Sequence, residues 1–339
     1  MKWIITLAAF LAVAHLPARL TVAASNGIAA DWVRQVGGNQ VQVASFADSG
    51  ADPHHFEPSP RQINELAKAD LIVAFGEGLE PWLNEAIVAS GTSARKLILT
   101  DGLDLLEPGE AFWVDRPLLY PDAANKPPCC KEDALVANEI WTSMIPQMPK
   151  SANDGHGHDH DHGYDPHVWL DPQMAVLMIL SINNALNELD PIHAAYFDKR
   201  REKYLDEIIT LDEWAEARLG EIPTRRRLLI NYHDNLRYFG RRYGFFTPTS
   251  ILGSVSTESP DPSARDFNRL LKLISRFGVP AVFVDSTANP RLAEQVVREA
   301  GLPTPFVLYT GNVTAADGRA PDYLSLMRGN VETIVTALR

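Results

Sequence analysis

The chain has 339 residues, of which 45% are hydrophobic and 22% are charged, and this globular composition excludes a disordered or fibrous protein. The length predicts two lobes or one large α/β domain. With 31 Lys and Arg against 43 Asp and Glu, the formal net charge is −12, which argues against a nucleic-acid partner. The only cysteines are the adjacent Cys129 and Cys130, so a disulfide framework is excluded.

The first residues have the pattern of a secretory signal. Lys2 precedes an apolar run from Trp3 to Ala14, which is shorter than the roughly 20 residues that span a bilayer. The small-residue pattern Ala12-Val13-Ala14 predicts cleavage after Ala14, with Ala18 as the second choice. A buried N-terminal helix is the alternative. No cysteine lies near this point, so we expect an exported, soluble, periplasmic protein without a lipid anchor.

Strands and helices alternate in the first hundred residues. The patterns predict strands at 19–25, 41–46, 71–75 and 96–99, and helices at 27–36, 61–69 and 81–89. This alternation is typical of a parallel sheet that is covered by helices on both faces.

A long irregular segment and a long helical segment follow. Residues 107–164 contain many prolines, the cysteine pair and the sequence HGHDHDH. Residues 172–222 are helical in pattern and are divided at Pro191, and a second helix of about 30 residues would be about 45 Å long. Strands return at 228–231, 281–285 and 304–309. The chain is therefore predicted to have an α/β lobe at 19–188, a linking helix at 190–222 and a second α/β lobe at 223–339.

Three histidines lie at junctions between a predicted strand and a helix. They are His54 in DPHHFEP, His167 in DPHVWLDP and His233 in NYHD. Ligands of parallel α/β sheets gather at the carboxyl ends of strands, and neutral imidazole is a good Zn²⁺ ligand. Neighbouring aspartates are expected to fix the second ring nitrogens, namely Asp52, Asp165 and Asp234. The alternative interpretation is three unrelated surface histidines.

The irregular segment carries two further candidate metal sites. Its loop 155–163 alternates histidine with Gly and Asp, and this composition predicts weak, exchangeable metal binding by His156, His158, His160 and His162. The alternative is a solvated acidic loop. The pair Cys129–Cys130 is interpreted as incidental, although a vicinal disulfide or a soft-metal site would also suit adjacent thiols.

In these residues the sequence resembles the metal-specific solute-binding proteins of ABC importers that take up zinc or manganese. The similar segments are GADPHHFEPSPRQ (50–62), ADLIVAFGEGLEPWL (69–83), DPHVWLDPQ (165–173), NYHDNLRYFGRRYGF (231–245) and DYLSLMRGNV (322–331). The resemblance implies two α/β lobes joined by one long backbone helix. It also implies a binding protein rather than an enzyme, a monomer that delivers its ion to a permease in the inner membrane.

The resemblance also implies a ligand set. The family's ligating histidines match His54 and His167, and its third ligand, histidine in zinc proteins and often glutamate in manganese proteins, matches His233. A histidine-rich loop before the second motif recurs among the zinc members, so Zn²⁺ is the expected cargo.

The sequence departs from the family at the fourth ligand. Many members have an aspartate where this chain has Gly311, so water, a histidine of the loop 155–163, Asp285 or Asp317 is left as the fourth ligand. Residues 107–145 do not match the family either.

Three other functions remain open at this point. One is a receptor for manganese or another divalent metal, and another is a surface adhesin of the same family. The last is a secreted zinc hydrolase, since three histidines with an open fourth position also describe a catalytic zinc site. No general base in a motif such as H-E-x-x-H accompanies the histidines.

Overall fold

The structure, a computed structural model, describes residues 19–47, 49–107 and 164–339. The predicted signal segment 1–14, the cysteine pair and the loop 155–163 lie outside the described residues. None of the described helices is both long and apolar enough to cross a membrane.

The N-terminal lobe is built on four parallel strands in the order β2-β1-β3-β4. The strands are β1 (Leu20–Ala24), β2 (Val41–Ser45), β3 (Leu71–Ala74) and β4 (Arg95–Ile98), and the helices between them are α1 (Gly27–Gly37), α2 (Pro60–Leu66) and α3 (Leu83–Ser90). Strand β1 pairs Leu20 with Val41 on one side and Val22 with Leu71 on the other. Every residue of β3 is buried, as its unbroken apolar sequence requires for a strand covered on both faces.

Two long helices follow the irregular segment. They are α4 (Pro172–Leu189) and α5 (Ala194–Leu219), separated by a 3-10 turn at Pro191–His193. Asp171 caps α4 by accepting a hydrogen bond from the N–H of Gln173, and Pro172 occupies the first helical turn, where its missing N–H costs nothing. Helix α5 has 26 residues and is about 39 Å long, somewhat shorter than expected because the turn at Pro191 ends at His193.

The C-terminal lobe has a smaller sheet, in which two parallel strands pair. Its elements are α6 (Arg237–Tyr243), α7 (Ala264–Phe277), β5 (Phe283–Asp285), α8 (Arg291–Ala300), β6 (Phe306–Leu308) and α9 (Tyr323–Leu338). The fold therefore has two α/β lobes and a long helix between them, as the sequence predicts. The limits 19–188, 190–222 and 223–339 stay a prediction.

The strand predicted at 228–231 is wrong. Leu228 forms only an isolated bridge with Phe246, and the next residues divide their backbone hydrogen bonds between two partners. The N–H of Leu229 donates to the carbonyl of Phe246, whereas the carbonyl of Ile230 accepts from the N–H of Phe283. Because no single neighbour runs beside the segment, no regular ladder forms.

One core joins the two lobes. Trp32 of α1 packs edge-on against Phe75 and Tyr323, with ring centroids 5.7 and 5.2 Å away, and Phe75 in turn contacts Trp169 at 4.6 Å. The Tyr323 hydroxyl donates to the carbonyl of Trp169 at 2.7 Å. The first turn of α9 is thus fixed against the N-terminal lobe, close to the His167 loop.

Candidate metal centre

Each of the three histidines sits in a loop whose backbone is fixed by neighbouring residues. His54 follows β2, and its N–H donates to Asp52 Oδ1 at 3.0 Å. His167 precedes a 3-10 turn at the start of α4, and its N–H donates to Asp165 Oδ1 at 3.0 Å. His233 lies in the turn before α6. These Asx turns fix the backbone of the first two candidate ligands.

The three imidazoles converge on one point. His167 Nε2 lies 3.4 Å from His54 Nε2 and 3.2 Å from His233 Nε2. In a tetrahedral site with bonds of 2.0–2.1 Å, neighbouring ligand atoms are about 3.3–3.4 Å apart, so the observed spacings suit a zinc ion. The side chains are buried, with 4, 1 and 3% of His54, His167 and His233 exposed. Among the described residues, these three form the only cluster of His, Cys, Asp and Glu that could hold a metal ion.

Asp165 sets the orientation of the His167 ring. Its Oδ1 lies 2.8 Å from His167 Nδ1. Burial raises the pKa of Asp165 to about 6, so at pH 7 the carboxylate is ionised and Nδ1 must carry the hydrogen of this bond. The lone pair of His167 is then on Nε2, the atom that faces the other histidines.

Asp285 does the same for His233 and is itself held by several donors. Asp285 Oδ2 lies 2.6 Å from His233 Nδ1. Asp285 Oδ1 accepts from Asn231 Nδ2 at 2.7 Å, from Asn235 Nδ2 at 3.1 Å and from the Thr310 hydroxyl. Both oxygens are therefore occupied within the protein, and Asp285 orients a candidate ligand.

The protonation of the histidines differs sharply. Burial, assisted by the neighbouring imidazoles, lowers the pKa of His54 to about 3 and lowers the pKa of His167 well below its usual value. Burial would lower the pKa of His233 too, but the charge of Asp285 and its hydrogen bond outweigh burial and raise it. Although burial would raise the pKa of Asp285, the charge of His233 and the hydrogen bonds it accepts lower it to about 2. The imidazoles of His54 and His167 are therefore neutral and can coordinate a metal near neutral pH. At His233 the metal must compete with a proton for the ring nitrogen.

The structure corrects two expectations about the aspartates. Asp52 binds the backbone N–H of His54 rather than its ring. Asp234 does not hold the ring of His233 either, because its Oδ2 points to Arg237 Nε at 3.9 Å and Asp285 occupies that place. Asp234, the residue after His233, contacts Arg237, and Asp285 from the end of β5 binds the His233 ring instead.

The structure also leaves fewer candidates for the fourth ligand. Asp285 is occupied by its hydrogen bonds, and Asp317 lies exposed, outside the histidine cluster. Gly311 lies beside the site, where a Cβ would be 3.6 Å from Thr287 Oγ1 and 3.8 Å from Pro53 Cδ, which is ordinary contact. The position would therefore accept a side chain, and this chain has none there.

The sequence analysis does not identify three residues that bind Asp285. Asn231 and Asn235 stand two residues before and after His233, and Thr310 directly precedes Gly311. The Asn-x-His-x-Asn spacing was a usable signal, since alternate residues in an extended turn face one side. Thr310 carries no such signal because it comes from a distant strand end.

Comparisons with known proteins identify the family of the chain. The family model of the zinc-uptake complex component A, periplasmic, matches residues 22–337. The chain is 25% identical over 321 residues to the metal ABC transporter substrate-binding lipoprotein SloC of Streptococcus mutans, covering 94% of this chain and 90% of that protein. It is 26% identical over 319 residues to the manganese-binding lipoprotein MntA of Halalkalibacterium halodurans, covering 94% and 88%.

Solved structures show the same fold. The periplasmic zinc binding protein TroA from Treponema pallidum superposes with a TM-score of 0.71 at 22% identity, covering 94% of this chain and 99% of that one. The Mn-bound periplasmic metal binding protein from Candidatus Liberibacter asiaticus gives a TM-score of 0.72 at 20% identity, covering 95% and 100%. Because the family model matches almost the whole chain, this chain belongs to the zinc-uptake complex component A family, whose members are substrate-binding receptors of ABC importers and not enzymes.

Proposed function

We propose that this protein is a periplasmic zinc receptor that binds one Zn²⁺ through His54, His167 and His233 and delivers it to an ABC permease. The convergence of three Nε2 atoms, 3.2 and 3.4 Å apart, carries the proposal. The protein would act as a monomer that captures and releases the ion without chemical change.

The choice of zinc over manganese follows from the donor atoms. Imidazole nitrogen suits Zn²⁺, whereas Mn²⁺ prefers carboxylate oxygens. The cluster contains no carboxylate within the described residues, and Gly311 has no side chain with which to supply one. Several relatives, including MntA, are named for manganese, so this donor set is the feature that would separate this chain from them.

Zinc titration of single-histidine variants tests the ligand set. We expect His54→Ala, His167→Ala and His233→Ala each to weaken binding by at least a hundredfold, since two imidazoles cannot complete the site. His193→Ala, which removes a histidine paired with Asp190 outside the site, is the matched control and should bind like the wild type. Wild-type affinity in all three ligand variants would refute the assignment.

Competition between the two ions tests the specificity. The protein is dialysed against equal free concentrations of Zn²⁺ and Mn²⁺, and the bound metal is measured by mass spectrometry. We expect zinc to occupy the site almost completely. Equal occupancy would show that the receptor is not selective for zinc.

The route of export is part of the proposal. The curated relatives are named lipoproteins, whereas we propose cleavage after Ala14 and release into the periplasm. N-terminal sequencing of the protein from a periplasmic extract would find position 15 first.

We further propose that the loop 155–163 binds additional zinc weakly through His156, His158, His160 and His162.

A further inference from the structure

The loop that carries His54 is held by the C-terminal lobe on two sides. On the inner side, Asn312 Nδ2 donates to the carbonyls of Ala47 and Ala51 at 3.3 and 3.1 Å. On the outer side, the Thr257 hydroxyl donates to Asp52 Oδ2 at 2.7 Å. Asn312 is 1% exposed, whereas Asp52 and Thr257 are both partly exposed. Water can therefore replace the outer contact far more easily than the inner one.

Thr257 belongs to a segment that is fixed to the His233 loop. The N–H groups of Ile251 and Leu252 donate to the carbonyls of Asn231 and Tyr232, both at 2.9 Å. Two residues further on, the carbonyl of Ser254 accepts the N–H of Asp234 at 2.7 Å. Residues 251–254 are therefore fixed to the His233 loop, and Thr257 lies three residues beyond the last of these hydrogen bonds.

Asp52 connects the two ligand loops through its two oxygens. Oδ1 accepts the N–H of His54, and Oδ2 accepts the hydroxyl of Thr257. A candidate ligand of the N-terminal lobe and one of the C-terminal lobe are thus joined by protein hydrogen bonds as well as by any ion between them.

A solvent-open cavity lies beside this contact. A cavity of about 520 Å³ is lined by His54, by His55 of the same loop and by Glu258, the neighbour of Thr257. His55 Nδ1 and Glu258 Oε1 face each other at 3.9 Å, and both side chains are about half exposed. The cavity is open to solvent and reaches His54, one of the three candidate ligands.

We propose that the Thr257 hydroxyl and Asp52 form a clasp between the two ligand loops beside this cavity. We further propose that the ion enters and leaves through the cavity, and that the clasp must open before the ion can leave. Thr257 is a positioning residue: it holds the His54 loop against the His233 loop and does not touch the ion. The inference rests on the proposed function, since it assumes an ion held by His54 and His233. The Thr257 hydroxyl would then control the rate of metal release.

Zinc dissociation from the full mature protein tests the clasp. The zinc-loaded protein is mixed with an excess of a strong chelator in a stopped-flow instrument. We expect Thr257→Val, which keeps the side-chain shape but removes the hydroxyl, to raise the dissociation rate about tenfold. Thr257→Ser keeps the hydroxyl and should stay within twofold of the wild type. Thr336→Val, which removes an exposed threonine hydroxyl on α9, is the control for the substitution itself.

A double variant separates the clasp from a general loosening of the fold. In an Asp52→Ala background, Thr257→Val should raise the rate no further, because the partner of the hydroxyl is already gone. The metal-free variants should melt at the wild-type temperature. If the wild type binds zinc tightly and Thr257→Val releases it at the wild-type rate, the clasp is wrong and the proposed function stands. If the wild type does not bind zinc tightly, the proposed function fails and the clasp fails with it.

Discussion

His233 is the residue through which pH should act on metal binding. A proton on its Nε2 occupies the lone pair that the metal needs, and the Asp285 carboxylate on the other side of the ring favours this protonated state. His54 and His167 have lowered pKa values and stay neutral at mildly acidic pH. Three ordinary histidines would release up to three protons per ion, and this site should release about one.

We therefore expect zinc affinity to be flat at alkaline pH and to fall about tenfold per pH unit on the acidic side, once His233 is protonated. Affinity is measured from pH 5 to 8 against a chelator that is corrected for its own protonation. Asp285→Asn removes the charge that raises the pKa of His233, so its affinity should begin to fall at a lower pH. A thousandfold fall per pH unit would show that all three histidines titrate normally.

Gly311 is the position at which we expect the choice between zinc and manganese to be set. Its backbone is not in the left-handed region, and a side chain there would meet Thr287 and Pro53 at ordinary contact distance. We expect Gly311→Asp to add a carboxylate oxygen to the three nitrogens and to raise the affinity for Mn²⁺ relative to Zn²⁺ at least tenfold. Competition dialysis measures the ratio, and Gly311→Ala, which adds only a methyl group, should leave it unchanged. An unchanged ratio in the aspartate variant would mean that position 311 does not face the ion.

The sequence predicts the three histidines because each stands in its own local motif ahead of a helix. It does not predict the partner of His233. Asp285 lies 52 residues away, at the end of a neighbouring strand, and only the pairing of β5 with β6 brings Thr310 beside it. Local residues can therefore be read as ligands, but the groups that orient them depend on tertiary packing.

The long helix α5 is fastened to the C-terminal lobe through one buried carboxylate. Asp212 accepts from Arg242 Nε at 3.0 Å and Nη2 at 2.7 Å, and from the Tyr243 hydroxyl at 2.9 Å. Asp212 is 4% exposed, so its loss leaves the buried Tyr243 hydroxyl without this acceptor. The largely buried guanidinium of Arg242 would keep only its 3.0 Å hydrogen bond to the exposed Glu216.

We expect Asp212→Ala to lower the free energy of unfolding by about 3 kcal/mol. Urea denaturation of the metal-free protein measures the change. Asp206→Ala, at an exposed position of the same helix, should stay within about 0.5 kcal/mol of the wild type. Equal stability of the two variants would show that Asp212 does not anchor the helix.

Strands of the N-terminal sheet are predictable because they alternate with helices, contain either an apolar run, as in β3, or apolar residues mixed with polar ones, and pair in parallel with a neighbour. The segment 228–231 has the same apolar character but shares its hydrogen bonds between Phe246 and Phe283. An apolar composition indicates that a segment is buried, but it does not indicate whether a single neighbouring strand runs beside that segment. This is why the N-terminal sheet was predicted closely and the C-terminal sheet only in part.

At the scale of the whole molecule, the ion would join two lobes that are already connected without it. The shared aromatic core, the hydrogen bonds of Asn312 and the helix α5 all hold the lobes together without metal. A continuous helix resists bending, because a hinge would break its i to i+4 hydrogen bonds, whereas a loop hinge changes a few backbone dihedrals. Metal binding should therefore stabilise the molecule without closing it widely.

We expect zinc at a thousandfold excess over Kd to stabilise the fold by about 4 kcal/mol, because the ion binds the folded chain and has no preformed site in the unfolded one. The radius of gyration should change by less than roughly 1 Å, since the connections between the lobes permit only small shifts. Thermal denaturation and small-angle X-ray scattering with and without zinc measure the two quantities. His233→Ala removes the only candidate ligand contributed by the C-terminal lobe, so it should lose most of the stabilisation while keeping the same radius. If the radius of gyration of the wild type fell by several ångströms, the long helix would have to bend. The two lobes would then close on the ion by a hinge motion.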